Sequence, residues 1–401
     1  MRVSTSQFYF QNSQSLSSLQ SEVNEQVKYL SSGKRVLTAK DDAVSYGTLA
    51  GYKDELSNIA KYQRNITQAE NRNSLQETSF SNVEDIMQQL KQSFIQANNG
   101  TLNTSDLQAL AELAKNSQEQ VLGIANAKDE TGGYMFSGFQ TEVIPFNLQT
   151  DGSVTYQGDS GVREIQVGKN VMVATNQSGE DAFNKVSNPI GDFSASYNTN
   201  NSGIAVHYAS VVDSSNYDVL GNPPDYNFNF ASATNLTVTD NNGAVVFNTN
   251  AYTAGQTVAF NGVEVQLNGN PLPGDDFDIT PQENISIFDT IQSAIGWMET
   301  GTNPVNPAQH SVDYNEILGQ LDQAVNHITS RRVDAGIRLN LIDVQDSNHL
   351  DAELNITSGR ANIEDLDFAK AVSTFEQSQV SLQAAQQSFV QIKNLSLFNY
   401  L

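Results

Sequence analysis

The feature that most constrains this chain is a hydrophobic seam of unusual length. From Ile59 the residues Tyr62, Ile66, Ala69, Asn73, Gln76, Phe80, Val83, Met87, Leu90 and Phe94 follow at alternating steps of three and four. Such steps hold one helix face against a partner helix. The helix starts near Ala43, where Asp41 and Asp42 suit the positive end of its dipole, and stops at Asn98-Asn99-Gly100. At 1.5 Å per residue it extends about 80 Å. A helix this long with so narrow a seam predicts a rod element, not part of a globule. Asn73 and Gln76 interrupt the seam, and polar seam residues commonly fix register.

Both chain ends repeat this grammar. Leu16, Leu19, Val23, Val27 and Leu30 form one stripe of a helix over 13–31, which Ser31-Ser32-Gly33 stops with Gly33 as a left-handed cap. Ser105 to Gln108 reads as a capping box for a third helix. Toward the C-terminus, a short helix over 285–298 and a loop holding Pro304 and Pro307 precede a long stripe from Tyr314 to Ile342. Gly359 reads as its break and Asn362 as the cap of the last helix, whose stripe includes Phe368, Val372, Phe375, Leu382, Phe389 and Ile392.

The middle is β. Asp151-Gly152, Asn242-Gly243 and Asn261-Gly262 each lie between runs of strand-forming residues, and such pairs suit hairpin turns that need positive φ. The Asn/Ser/Gly-rich stretch 187–203 reads as a linker. The expected organisation is therefore an assembly helix and loop at 1–42, helical parts at 43–133 and 285–360, β units at 134–186 and 204–283, and a C-terminal assembly helix at 361–401. The fold class is α+β: an elongated rod of paired long terminal helices in a coiled coil, carrying an inserted β-rich region.

With 45 acidic and 21 basic residues, the net charge of −24 argues against nucleic acid and anionic membranes as partners. It keeps the monomer soluble, so self-association has to come from apolar burial. The absence of cysteine excludes disulfides, thiolate metal sites and cysteine nucleophiles. The start of the chain has no sustained apolar run and does not read as a secretory signal, and pattern alone would leave the protein in the cytoplasm.

No catalytic or cofactor motif emerges. His207, His310, His327 and His349 lack metal-ligand spacing and read as surface or interface residues. Asp275, Asp276 and Asp278 hint at calcium, but a solvated turn after Pro273-Gly274 is the plainer reading, and Asp240 to Gly243 reads as a hairpin turn. Arg331, Arg332, Arg338 and Arg360 stand out in an acidic chain; bidentate pairing with a neighbouring subunit and pairing within the chain are equally open.

The residues also carry a family pattern. Leu30-Ser31-Ser32-Gly33-Lys34-Arg35-Val36, with Asp41 and Asp42 after it, resembles the N-terminal block of flagellins. Asp365-Leu366-Asp367-Phe368-Ala369 and the Gln-rich helix after it resemble the flagellin C-terminal region. Gly132 to Thr141, with Gly133, Phe136, Ser137 and Gly138, looks like the mark of the superfamily's hook–filament junction branch at the helix-to-β crossing. The start Met1 to Thr5 and the tail Ser396 to Leu401 fit that branch too.

The resemblance implies a structural, non-enzymatic role without cofactors: a ring of copies of this chain between hook-associated protein 1 and the flagellin filament. It implies an extracellular flagellar location, type III export without a cleaved signal peptide, and a cytoplasmic chaperone covering the C-terminal helix beforehand. The terminal stripes Leu16, Leu19, Val23, Val27, Leu30 and Val372, Phe375, Leu382, Phe389, Ile392 are then the self-assembly surfaces, weakly ordered in the monomer and pairing on docking. A filament flagellin, or a β-domain adhesin on a flagellin-like stalk, is the alternative.

Overall fold

The computed structural model describes residues 2–218, 225–302 and 304–394, with side chains described over 7–217, 225–302 and 304–391. The tail motif from Ser396, the side chain of Ile392 and Met1 lie outside them. Helices α1 (Arg2–Ser32), α2 (Ala43–Ala97), α3 (Thr104–Ala125), α4 (Ser214–Asp218), α5 (Ile287–Glu299), α6 (Pro307–Glu364) and α7 (Phe368–Asn394) bracket a β-rich middle. The chain divides into two compact units, one holding the residues up to Arg64 and from Val344 on, the other Asn65–Asp343. Helices α2 and α6 contribute to both.

In the Asn65–Asp343 unit, the α2 seam from Phe80 to Phe94 packs with α3, α5 and the first half of α6 into one core. Two hairpin strands, β1 (Phe146–Leu148) and β2 (Val154–Tyr156), belong to it, as do Phe136 and Phe183. Its centre is a chain of rings: Phe80 lies 5.6 Å from Phe136, Phe136 5.3 Å from Phe183, Phe183 5.4 Å from Phe146, and Phe146 5.1 Å from Phe288. A second hairpin, β3 (Glu164–Gly168) and β4 (Val171–Ala174), sets Val167 and Val173 on Ile66, Ala69 and Ile342.

This hairpin explains the two polar seam residues. Asn73 donates its amide to the Ala174 carbonyl at 3.0 Å, and Gln76 to that of Thr175 at 3.0 Å. Both side chains are buried. They bind the backbone that leaves β4, so the seam's interruptions mark where sheet replaces helix as its partner.

The remaining strands build a separate core. A five-stranded sheet runs β10 (Val245–Thr249), β9 (Asn235–Asp240), β8 (Tyr226–Ser232), β13 (Asp276–Pro281), β6 (Phe193–Thr199). A three-stranded sheet runs β11 (Thr257–Phe260), β12 (Val263–Asn268), β7 (Ala205–Val211). Alternate residues such as Tyr226, Phe228, Phe230, Leu236 and Val238 are fully buried between them. Strands β5 (Val186–Ser187) and β14 (Asn284–Ile285) pair antiparallel where the chain enters and leaves this part.

Several local expectations change. The stretch 187–203 is not a linker, because it holds β6, which pairs with β13 along its whole length. Its Ser and Asn residues are the outward positions of a strand that buries Phe193. Asp276 and Asp278 lie in β13, not in a solvated turn, and accept amide N–H groups from Asn198, Asn227 and Asn229. The capping box of α3 is Asn103 with Asp106, two residues earlier than the sequence suggests. Helix α6 continues through Gly359 to Glu364. A Cβ at Gly359 would stand 3.1 Å from the Tyr52 hydroxyl, so this glycine serves a close helix approach rather than a break. The last helix is capped by Asp367, which accepts the Lys370 N–H at 3.1 Å, not by Asn362.

The second core is fastened to the start of α6 by Asn200. Its buried amide donates to Gln309 at 2.8 Å, and Gln309 donates to Asp313 at 2.6 Å. Burial, with Asp313 nearby, pushes the Glu316 carboxyl up to about 7. A carboxyl raised above its unfolded value supports the fold while protonated, and that support is lost as pH climbs from its unfolded value to its folded one. Glu316→Gln is therefore expected to gain on the parent chain by on the order of 2 kcal/mol between about pH 5 and pH 8, read by urea unfolding. Asn73→Ala and Gln76→Ala are each expected to lower stability by about 1–2 kcal/mol in the same assay, since each strips a buried carbonyl of its donor.

Candidate assembly site

In the unit that joins the two chain ends, α1 and α7 lie side by side. Apart from Tyr29 beside Leu30, the half-buried positions of α1 are Tyr9, Asn12, Leu16, Leu19, Val23, Gln26 and Leu30. They keep a strict three–four alternation, and so do Ala371, Phe375, Ser378, Leu382, Ala385 and Phe389 of α7. Tyr9 meets Phe389 edge-on at 6.2 Å, and the Ser378 hydroxyl donates to Glu22 at 3.3 Å. Val27 and Val372 lie outside this seam, 45 % and 43 % exposed. The alternation places polar Gln26 and the small Ala371 on it instead, which a count of large apolar residues does not find.

The seam is thin. Phe8, Phe10, Val380 and Val390 lie off it and are exposed, Phe10 by 70 % and Val380 by 65 %. Two helices alone do not cover the apolar surface they carry, and exposed surface of this kind marks an interaction site.

The two family blocks meet as a clasp. Gly33 ends α1 at φ 67°, with its N–H on the Tyr29 carbonyl at 2.9 Å. Lys34 and Asp365 then pair as an antiparallel bridge: Arg35 N–H donates to the Glu364 carbonyl at 2.7 Å, and Leu366 N–H to that of Gly33 at 3.0 Å. The Lys34 ammonium sits 2.6 Å from the Glu364 carboxylate and holds that carboxyl below its usual range. Arg35 donates Nε and Nη2 to the Ile363 carbonyl at 3.2 and 3.0 Å. Ser32 accepts the Lys34 N–H at 3.3 Å.

Asp41 and Asp42 shape the turn into α2. Asp41 accepts the N–H groups of Thr38 and Leu37 at 2.8 and 3.0 Å, and Asp42 accepts the Ser45 backbone N–H and the Ser45 hydroxyl. These bonds lower both carboxyl pKa values, those from Thr38 and Ser45 leading. Asp365 supplies backbone to the bridge, and Asp367 starts α7.

In the other unit, Gly133, Phe136, Ser137 and Gly138 form the crossing from helix to sheet. A Cβ at Gly133 would stand 3.0 Å from that of Thr141. Phe136 is fully buried in the ring chain, and its carbonyl accepts the Tyr156 hydroxyl at 2.9 Å. Ser137 donates to the Tyr134 carbonyl at 3.1 Å. Gly138 has φ 75°, and a Cβ there would fall 2.1 Å from the Asp159 carboxylate, which binds the Phe139 N–H at 2.9 Å.

The arginines separate. Arg332 bonds within the chain to Glu77 at 2.7 Å and Glu84 at 3.2 Å of α2. Arg331 meets Asp334 at 3.4 Å and Arg360 meets Glu364 at 3.7 Å. Arg338 closes no ion pair among the described residues, and its buried Nη1 has no hydrogen-bond partner. His310 stacks on Trp297 at 4.2 Å, and His327 Nε2 donates to the Asp181 carbonyl at 2.9 Å. No group of three or more His, Asp or Glu residues able to hold a metal occurs among the described residues, and no described helix is long and apolar enough to cross a membrane.

The clasp makes Gly33 sensitive. A Cβ there would meet Phe368 at 3.4 Å and face a left-handed backbone. Gly33→Ala is expected to weaken the end unit by about 1–2 kcal/mol, seen as faster proteolysis between α1 and α2, with the urea transition of the other core unmoved.

Family models match both ends of the chain: the bacterial flagellin N-terminal helical region over residues 3–141, and the bacterial flagellin C-terminal helical region over residues 318–401. The chain is 23 % identical to flagellar hook-associated protein 3 of Salmonella typhimurium over 398 residues, covering 99 % of both chains. The crystal structure of flagellar hook-associated protein 3 from Legionella pneumophila is similar at 30 % identity and TM-score 0.66, over 78 % of this chain and 98 % of that one. FlgL of Xanthomonas campestris is similar at 25 % identity and TM-score 0.64, over 77 % of this chain and 99 % of that one. With the flagellin regions at its two ends and this likeness along nearly the whole of those proteins, the chain belongs to the flagellin family, in its hook-associated protein 3 branch, and is a structural component of the bacterial flagellum.

Proposed function

We propose that the chain is the adaptor at the hook–filament junction, a ring of copies that docks on hook-associated protein 1 and presents its outer side to flagellin. The observation that carries this reading is the thin α1–α7 seam, whose outer flanks leave Phe10, Val380 and Val390 uncovered. In a chain of net charge −24, such apolar surface gains most from a neighbour that buries it.

On this reading Leu16, Leu19, Val23, Leu30, Phe375, Leu382 and Phe389 hold the two ends of one subunit together. Val27, Val372 and the outer apolar residues face the next subunit. Arg332 is already engaged within the chain by Glu77 and Glu84. The chain acts as a structural part rather than an enzyme. It leaves the cell through the flagellar type III apparatus without cleavage, with a chaperone on α7 until export, because these flanks would otherwise associate early.

Purified protein added to isolated hooks that carry hook-associated protein 1 is expected to form one terminal layer that accepts flagellin, imaged by electron microscopy. Val380→Asp is expected to lower that layer's occupancy at least tenfold while leaving the monomer's urea transition in place. Long filaments of this protein alone would make it a flagellin instead, and no binding would turn attention to the second β core as an adhesin.

A further inference from the structure

The second β core meets the helices at a neck and at a seat. The neck is the antiparallel pair of β5 and β14, through which the chain enters and leaves the core. Beside it, Asn188 donates its amide to the Phe193 and Gln282 carbonyls, each at 2.9 Å. The seat is one face of α6. The apolar cluster of the β core is separate from that of the helices, and the contacts across the seat are mainly polar.

Those contacts surround Glu316. Asn306 donates its amide to the Asn200 carbonyl at 2.7 Å, and the Asn200 amide donates to Gln309, which holds Asp313. Three residues beyond Glu316, a Cβ at Gly319 would stand 3.6 Å from the Pro189 Cβ. With 3.6 residues per turn, Asp313 and Gly319 lie about 60° to either side of Glu316 on the helix. Glu316 therefore stands between the amide contact and the Pro189 contact, beneath the β core. Tyr197 of β6 faces the same two carboxyls, and burial pushes its phenol up, so it stays neutral.

The seat offers Glu316 no cation. No lysine or arginine occurs between Lys185 and Arg331, a stretch that includes the whole second β core and the start of α6. Among the described residues, Glu316 closes neither an ion pair nor a hydrogen bond. Burial raises its pKa first, and the Asp313 charge one turn back adds to that. His310, which faces Asp313, is held below its ordinary value by burial, so it is neutral where Glu316 ionises.

We infer that the seat is a proton-operated latch. With Glu316 protonated, the second β core rests on α6. With Glu316 ionised, the carboxylate regains water as the core lifts from the helix and pivots about the neck. Each strand of the neck is two residues long, and hinges are commonly a few residues at the ends of elements. The latch goes beyond the junction reading and does not rest on it.

A carboxyl whose pKa is raised in the seated state favours seating at low pH and opposes it above that raised value. From the ordinary glutamate value to about 7, the ratio of lifted to seated core is expected to climb by up to about 300-fold. The chain has no cysteine, so nitroxide labels on Ala233→Cys of the β core and Glu119→Cys of α3 report on this movement alone. Their separation, measured by pulsed electron spin resonance on the full chain, is expected to be narrowly distributed at pH 5.5. At pH 8.5 it is expected to broaden, and to narrow again on return to pH 5.5. With Glu316→Gln added, the distribution is expected to stay narrow at both values. A narrow distribution at both values in the labelled parent overturns the latch. Broadening that persists with Glu316→Gln overturns it too, because another group then drives the movement.

Discussion

The end unit depends on one short backbone bridge. Except for buried Ala371 and Ser378, its α1–α7 seam is made of half-buried side chains, and a half-buried heptad gives only part of the roughly 1.5–3 kcal/mol that a fully buried large apolar residue supplies. A seam of that kind permits slippage along its own repeat. The bridge between Lys34 and Asp365 removes the freedom, because its hydrogen bonds admit one pairing of the two chains. Gly33 and Asp367 then fix where each helix ends or begins relative to that pairing. Register is set by hydrogen bonds at one end, and the apolar seam extends it.

The other unit solves the opposite problem. There the helices bury a full seam, and the aromatic chain from Phe80 to Phe288 ties the hairpin to the helices on both sides of it in sequence. The two tight glycines at the crossing follow from this density. Asp159 approaches Gly138 so closely that no side chain fits, and its carboxylate ties the loop down. A packed interior of this kind holds its outer surface in shape.

Much of this was legible in the sequence, and the failures share a cause. Strict three–four spacing located the long helices and most of the seam, from Leu16 to Phe389, because helix periodicity is local. The sequence missed Gln26 and Ala371 because hydrophobicity, rather than phase, guided the choice. It misjudged 187–203 because Ser and Asn there are the outward half of β6, whose partner β13 lies about eighty residues on. Asn73 and Gln76 were visible as anomalies, yet the Ala174 and Thr175 carbonyls they bind come from a hairpin a hundred residues away. Gly359 looked like a break because nothing local reveals the Tyr52 ring packed on it. Local rules fail where a distant segment supplies the partner.

The charge of the chain bears on all of these surfaces. At −24, two copies repel across any acidic face, and screening at physiological salt reduces this only beyond about 8 Å. A docking surface therefore has to be neutral where it makes contact and has to spend few carboxylates at its edge. The exposed flanks of α1 and α7 meet the first condition. The same repulsion acts before assembly, when no neighbour is correctly placed to bury the apolar stripes. Acidic faces and apolar stripes on one molecule thus oppose random clumping while permitting the few arrangements that bring stripe to stripe.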